Sequence, residues 1–536
     1  MGRLGRRSFL SGASVLTLSA LVVKVIGMLY RIPLLSVLGT EGMGYFNAAY
    51  ELYALFCVIA TAGLPVAMSV LISSHGAGGD RDEQGTSAHA RRVFRVSLGA
   101  FLVIGLVGTA LLWGLSAPFA ALLGNGNAAL CMRAISPTVL LICLSSALRG
   151  YFQGHRNMTP TAISQVVEAA GKLFLGLALA GLAKSRGCDL PTTAAWAVMG
   201  LTVGTALSLC YLTVSKRCRD RRYPREWLAE RDATPARSIL RRLAATAVPV
   251  TVGAGIIALA KCIDLILIHR RLAILGLSAA HIASVYGCYS TLAVPLFNIL
   301  PSLSTSVALS AVPALAAAFS RGKEGEAETR KTATSALRVT LAVALPASLG
   351  LAVFSRDILS LLFAGQAAAV AEATPWLACL ALSVPAACLV TVTGGMLQAA
   401  GRAGRPIIAM LAGVGVKTVL AYILLGHSRF GMMGAPISSL VCDAVIVVIN
   451  ILSLARYAPA MLPTRGDALG MYLIPAALSL LSVVAVRTLR NASGLRAISP
   501  ARTLLTVATV MCLYGAGLLV SYLPKKKTAP TCAADT

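Results

Sequence analysis

The chain has 536 residues, of which 57% are hydrophobic and only 12% charged, against about 25% charged in soluble globular domains. A water-soluble core does not account for that deficit over such a length, whereas a bilayer removes the need for a charged surface along most of each helix. The net charge of +27 sits mostly beside apolar runs, which assigns it to membrane topology and anionic lipid headgroups and excludes a nucleic-acid partner.

A membrane-spanning helix needs roughly 20 mainly apolar residues. About fourteen such runs are predicted, at 11–37, 45–73, 93–115, 128–149, 159–182, 192–214, 241–268, 283–317, 334–354, 373–399, 406–426, 432–455, 468–486 and 502–522. The expected fold is therefore an all-α polytopic protein of the bacterial cytoplasmic membrane. Before the first run, Arg6 and Arg7 followed by Ser8, Phe9 and Leu10 have the look of a twin-arginine signal. No small-residue cleavage site follows, and the apolar stretch continues to Arg31, so these arginines read as cytoplasmic anchors. Pro33, Pro65, Pro249, Pro295, Pro301 and Pro385 fall inside the runs and predict kinks.

With the N-terminus in the cytoplasm, the cytoplasmic loops and tail hold about thirty Lys and Arg, against about ten outside. The loop 215–242 contributes Lys216, Arg217, Arg219, Arg221, Arg222 and Arg225, with a short interfacial helix expected around Trp227. Lys525, Lys526 and Lys527 hold the tail inside, while Arg487, Arg490 and Arg496 run against the rule.

The 13 cysteines are scattered, several of them within apolar runs, and read as small packing residues. The six histidines, His75, His89, His155, His269, His281 and His427, lie mostly at loops or helix ends. Acid, base and nucleophile side chains form no constellation, so an enzyme and a cofactor are not expected. No metal site can be assigned.

The most informative feature is an internal repeat. Lys24 to Gly39 and Lys261 to Gly276 are both 15 residues, and Tyr53 to Pro65 and Tyr289 to Pro301 are both 12. Further on, Cys143, Gly150, Gln153 and Lys172 meet the same residue types 245 positions later, at Cys388, Gly395, Gln398 and Lys417. Lysine within a membrane span is rare, so two lysine pairs in register outweigh generic apolar similarity. The expected organisation is a six-helix lobe over 1–235, a second over 236–458, and an added helix pair with a tail over 459–536. An even number of helices gives both lobes one orientation, with an axis along the membrane normal, an arrangement suited to alternating access.

A charge at the centre of a membrane helix costs roughly 2.5–3.5 kcal/mol on insertion scales. This chain retains Lys24, Arg31, Glu51, Glu168, Lys172, Lys261, Asp264, Lys417 and Asp443 within its predicted spans. Lys24 and Arg31 are seven residues apart and share a helix face. A planar guanidinium fork and a mobile ammonium both suit phosphate oxygens. The candidate substrate cavity is accordingly Lys24, Arg31, Tyr50, Glu51, Tyr53, Tyr286 and Tyr289. Helical spacing pairs Glu168 with Lys172 and Lys261 with Asp264. Those four residues, with Lys417 and Asp443, form the candidate pairing or coupling set. Asp264 and Asp443 could offer oxygen ligands to a coupling cation, Na+ or H+, unless Lys261 and Lys417 take that place.

The segments Lys24 to Leu34, Ala60 to Ala67, Tyr289 to Leu296 and above all Arg149 to Glu168 resemble the stage V sporulation protein B family. That family belongs to the multidrug/oligosaccharidyl-lipid/polysaccharide (MOP) exporter superfamily and is related to the lipid II flippase MurJ. The resemblance implies two six-helix lobes and a C-terminal helix pair that forms a groove for a lipid tail. It also implies flipping of an undecaprenyl-diphosphate-linked saccharide, lipid II in the first instance, for peptidoglycan or spore cortex synthesis. MurJ-like cavities carry arginines on helices 1, 2 and 8. Arg31 matches the first, but the second helix here has Glu51 with no arginine nearby, and the eighth has Tyr286 and Tyr289 in the corresponding region. The alternatives are a flippase for polysaccharide-repeat lipids, a drug/cation antiporter of the same superfamily, and a membrane enzyme acting on lipid-linked glycans.

Overall fold

The computed structural model describes residues 3–75, 83–221, 234–492 and 500–522. The expected interfacial helix around Trp227, together with Arg496 and the lysines Lys525, Lys526 and Lys527, lies outside the described residues. Helices account for nearly all of the rest, as they must in lipid, where every backbone N–H and C=O has to be satisfied within its own segment.

In chain order the helices are α1 (Arg3–Val58), α2 (Leu64–His75), α3 (Glu83–Leu122), α4 (Ala128–Ile135), α5 (Pro137–Gly154), α6 (Thr159–Ser185) and α7 (Leu190–Asp220). They continue as α8 (Ala236–Ile274), α9 (Ala279–Cys288), α10 (Val294–Phe319), α11 (Glu326–Val353), α12 (Ser355–Leu362) and α13 (Ala367–Ala399). The last four are α14 (Gly404–Leu425), α15 (Gly434–Tyr457), α16 (Arg465–Ala492) and α17 (Pro500–Tyr522). Among the described residues, 12 helical segments are long and apolar enough to cross a membrane, and two shorter apolar ones cover Ala60–Ser73 and Ala508–Leu518. The expected count of fourteen is thus not reached by length and composition. The expected span 11–37 and the first part of 45–73 follow one another along α1, which is interrupted at Gly39 (φ 65°, ψ −178°), and the rest of 45–73 continues into α2. Large apolar side chains face outward along the helices, Phe174 at 69% and Leu309 at 70% exposure, a distribution suited to lipid and not to water.

Two of the predicted kinks have a common form. Single π-turns, Ile59–Gly63 and Tyr289–Ala293, end two residues before Pro65 and Pro295. A proline has no N–H for the carbonyl four residues back and its ring crowds that carbonyl, so the helix widens there instead of running straight.

The chain divides into two compact units, one of Met1–Leu296 with Met410–Cys442 and one of Phe297–Ala409 with Asp443–Thr536. In the first, α2, α3, α5, α7 and α8 bury a core around Met68, Phe101, Tyr151, Phe152 and Leu212. In the second, α10, α11, α13 and α15 bury Leu315, Leu341, Leu397 and Leu454. A smaller cluster there joins Phe354 to Val483 and Val486 of α16 and Val510 of α17.

The repeat register reappears in backbone detail. At the end of α5, Asn157 N–H donates to Phe152 O (3.0 Å) and Arg156 N–H to Gln153 O (2.9 Å). At the end of α13, Arg402 N–H donates to Leu397 O (2.9 Å) and Gly401 N–H to Gln398 O (3.0 Å). Both caps turn on a left-handed residue, Arg156 (φ 58°) and Gly401 (φ 73°). Glycine carries that conformation freely, and a side chain at Arg156 does not.

Within the first unit, α1 and α9 touch backbone to backbone at two glycines. A Cβ on Gly287 would lie 2.0 Å from Thr40 O, and one on Gly44 2.1 Å from Ala283 O. Gly276, by contrast, has open space around it and a φ of +82°. Gly287→Ala should force the two backbones apart and cost about 3 kcal/mol, as overpacked cores do. Gly276→Ala meets only conformational strain and should cost about 1 kcal/mol. Unfolding of the two purified variants in detergent checks the order, and equal losses would contradict it.

Candidate functional site

The site is built around a carbonyl that its own helix cannot satisfy. In the π-turn Tyr289–Ala293, the Val294 N–H bonds Tyr289 O, five residues back. The next residue, Pro295, has no N–H to offer Ser290 O. Arg31 supplies the donor, its Nη1 lying 2.6 Å from Ser290 O. Around this bond, Asn47 Nδ2 donates to Ser290 Oγ (2.9 Å) and Thr291 Oγ1 (2.8 Å), and the Thr40 and Ser284 hydroxyls pair at 2.6 Å. The guanidinium is thereby fixed in place with donors to spare. Glu51, Tyr50, Tyr286 and Tyr30 all lie within its electrostatic range.

Lys172, midway along α6, completes the site. Its Nζ lies 4.5 Å from the ring centroid of Tyr50, 5.4 Å from that of Tyr30 and 5.7 Å from that of Phe46. The ring faces attract the ammonium without neutralising it. No ion-pair partner is found for it among the described residues, so its three N–H donors remain open to an incoming acceptor. Tyr53 stacks at an angle on Tyr50, centroid to centroid 5.9 Å.

The expected local pairs are not the ones formed. Glu168 bonds Arg149, Nη2 to Oε2 at 2.7 Å, with the two side chains 20% and 10% exposed. Arg149 also donates to Ser164 Oγ (3.0 Å) and Ser208 Oγ (3.2 Å). Asp264 bonds Lys417 of α14 in place of Lys261, whose side chain is exposed. In both cases the partner comes from another helix, brought up by packing, and not from the neighbouring turn of the same helix.

The other expected residues are placed as follows. Lys24 is exposed on α1, about two turns before the half-buried Arg31. Tyr286 and Tyr289 are buried on α9 and its π-turn, with the Tyr286 ring 5.4 Å from His269. Asp443 belongs to the second unit, within electrostatic range of Cys388. Among the described residues, no group of three His, Cys, Asp or Glu side chains is arranged to hold a metal ion.

Arg149, Asn47, Ser290, Tyr30 and Phe46 were not among the expected site residues. Arg149 was hidden by the span boundary: apolarity ends near 149, whereas α5 runs on to Gly154 and carries the arginine inside. The polar residues Asn47, Ser290 and Thr291 left a signal, since they interrupt otherwise apolar stretches of predicted spans.

The model of the polysaccharide biosynthesis protein family matches residues 9–319, more than half of the chain. The chain belongs to the polysaccharide biosynthesis protein family. Every member of the Arg31 cluster lies within the matched stretch. A second family model, MatE, matches residues 271–423. The stage V sporulation protein B of Bacillus subtilis (strain 168) is 25% identical over 475 residues, 88% of each chain. The lipid II flippase MurJ of the same organism is 36% identical over 169 residues, 30% of each chain. Among solved structures, lipid II flippase MurJ in an inward closed conformation superposes with a TM-score of 0.69 at 13% identity, covering 95% of this chain and 98% of that one. An inward-facing MATE family transporter of the MOP superfamily gives 0.61 at 17% identity, covering 82% and 94%. These likenesses show a shared fold. This member of the polysaccharide biosynthesis protein family is a multi-pass membrane protein whose fold is that of MurJ and the MATE transporters.

The Asp264–Lys417 bond can be tested by charge removal. Asp264→Asn or Lys417→Met alone leaves a buried charge without its partner and should cost about 3 kcal/mol, while the double variant should recover most of it. Unfolding of the three variants in detergent checks this, and additive losses would contradict a direct pair.

Proposed function

We propose that the protein flips an undecaprenyl-diphosphate-linked cell-wall precursor, lipid II in the first instance, across the cytoplasmic membrane by alternating access. The observation that carries this reading is the pair Arg31 and Lys172. Both are cations held within membrane spans, and Glu51 is the carboxylate in range of Arg31 once Glu168 is spent on Arg149. The surplus positive charge in a low-dielectric setting calls for an anion. A diphosphate offers acceptors to both the guanidinium fork and the ammonium. The tyrosines around them supply flat, amphipathic surfaces on which a sugar ring can lie. The names of the relatives, one a sporulation protein and one a lipid II flippase, support the substrate class.

In this reading the segments 1–235 and 236–458 are the two moving lobes and 459–536 serves the lipid tail. Lys24 stands beside the route to Arg31. Asp264 with Lys417 forms the coupling side, where Na+ or H+ exchange would act on a carboxylate that now holds an ammonium group; Lys261 and Asp443 are further coupling candidates on their own units.

In cells with this protein as the sole flippase, depletion should remove lipid II from the outer face, read by its accessibility to an external probe. Arg31→Gln and Lys172→Gln should each reduce transport by about tenfold or more, the worth of one charge-assisted hydrogen bond. Unchanged external lipid II on depletion would overturn the substrate. Undiminished transport in the Lys24→Ala, Arg31→Ala double variant would overturn the cationic clamp alone.

A further inference from the structure

We propose that Arg402, Arg405 and Arg456 form a site for the phosphate headgroup of an anionic glycerophospholipid, separate from the Arg31 cluster. The three guanidinium carbons lie 4.7, 4.6 and 5.6 Å from one point, the ring centroid of Tyr457. Arg405 also donates from Nη2 to the Tyr457 hydroxyl. All four residues belong to the second unit. Arg402 and Arg456 are exposed, and Arg405 and Tyr457 are half-buried.

The three charges converge with nothing to offset them. None of the three arginines has a carboxylate partner among the described residues. Arg405 stands in the first turn of α14, where the helix dipole disfavours a cation and favours an anion. Arg402 is fixed by the cap that follows α13, its N–H held by Leu397 O at 2.9 Å. One ring thus gathers three like charges at a helix N-terminus, an arrangement that a bound anion relieves and an empty one does not.

The first unit shows what the same kind of cluster is like when it is closed. There Lys216 lies 4.7 Å from the Phe94 ring and 5.2 Å from the Tyr151 ring, and Arg219 5.5 Å from the latter. That cluster contains its own carboxylate: Asp220 bonds Lys216 at 2.5 Å and accepts from the Tyr151 hydroxyl at 3.5 Å. His155 beside it adds no charge at neutral pH, because burial pushes its imidazole down to about 4. The cluster around Tyr457 has the cations and the ring but, among the described residues, no counterpart of Asp220.

The location selects a lipid as the source of the anion. Arg402, Arg405 and Arg456 sit at helix ends that the distribution of Lys and Arg places at the cytoplasmic leaflet, where anionic lipids concentrate. Exposed guanidinium groups at that depth meet phosphodiesters before they meet soluble anions.

The test uses the full-length protein in detergent, with native mass spectrometry after addition of phosphatidylglycerol or phosphatidylcholine. Phosphatidylglycerol should be retained over phosphatidylcholine. Arg456→Gln should weaken it by about fivefold, and the Arg402→Gln, Arg405→Gln, Arg456→Gln triple variant by about a hundredfold, each arginine contributing about a factor of five. Lys216→Gln should leave retention unchanged. Equal retention of the two lipids, or undiminished phosphatidylglycerol on Arg456→Gln, overturns the proposal. Displacement of phosphatidylglycerol by millimolar inorganic phosphate assigns the arginines to a soluble anion and overturns the lipid source. Arg456→Gln decides the matter even where the triple variant does not purify, since its side chain is exposed.

Discussion

A single unsatisfied carbonyl organises the first unit. Pro295 takes away the donor that Ser290 O would have, and in lipid such a loss costs several kcal/mol unless another donor arrives. Arg31 is that donor. The need is mutual, because a guanidinium inside a membrane span also requires an acceptor. The bond draws α1 to the π-turn beyond α9, and the close backbone approach at Gly44 and Gly287 is compatible with nothing bulkier. Asn47 and Thr40 then add their hydrogen bonds along the same line. Once Arg31 is fixed, Tyr50 and Glu51 on the same helix lie within electrostatic range of its guanidinium.

The charges within the spans fall into two kinds. Arg149 with Glu168, and Asp264 with Lys417, are matched pairs whose members neutralise one another. Arg31 and Lys172 are held instead by dipoles and ring faces. A carbonyl or an aromatic face stabilises a cation without cancelling its charge, so these two positions keep an electrostatic pull on anything that enters. The same distinction separates the cluster at Tyr151, closed by Asp220, from the one at Tyr457.

Much of this architecture was legible in the amino-acid order. Runs of apolar residues located most of the helices, because the bilayer imposes length and composition directly, but helices such as α3 and α11 begin ten and eight residues before the runs expected from 93 and 334. The break between the first two runs was visible as Gly39, yet hydropathy alone does not say that one helix resumes on its far side. Pro65 and Pro295 marked irregular helix, although the π-turn form depends on whether neighbours accept the freed groups. Partner choice was the part that could not be read. Spacing put Lys172 four residues from Glu168, a good distance on an isolated helix. Packing of α5 against α6 brings Arg149 to the carboxylate and turns Lys172 toward Tyr50. The cap shared by Gln153 and Gln398 shows the opposite case, in which a sequence match announced an identical local geometry.

The placement of Lys172 bears on how the chain enters the membrane. A lone lysine at mid-helix disfavours insertion by about 2.5–3.5 kcal/mol. Tyr30, Phe46 and Tyr50, the rings that hold it, are synthesised more than a hundred residues earlier. They stand in the bilayer before the ribosome delivers α6, so this helix can leave the translocon directly onto a prepared surface. Arg31 and Asp264 have no such advantage, because Ser290 and Lys417 emerge after them. Those two helices wait for their partners, which makes the second half of translation the vulnerable period in the biogenesis of this protein.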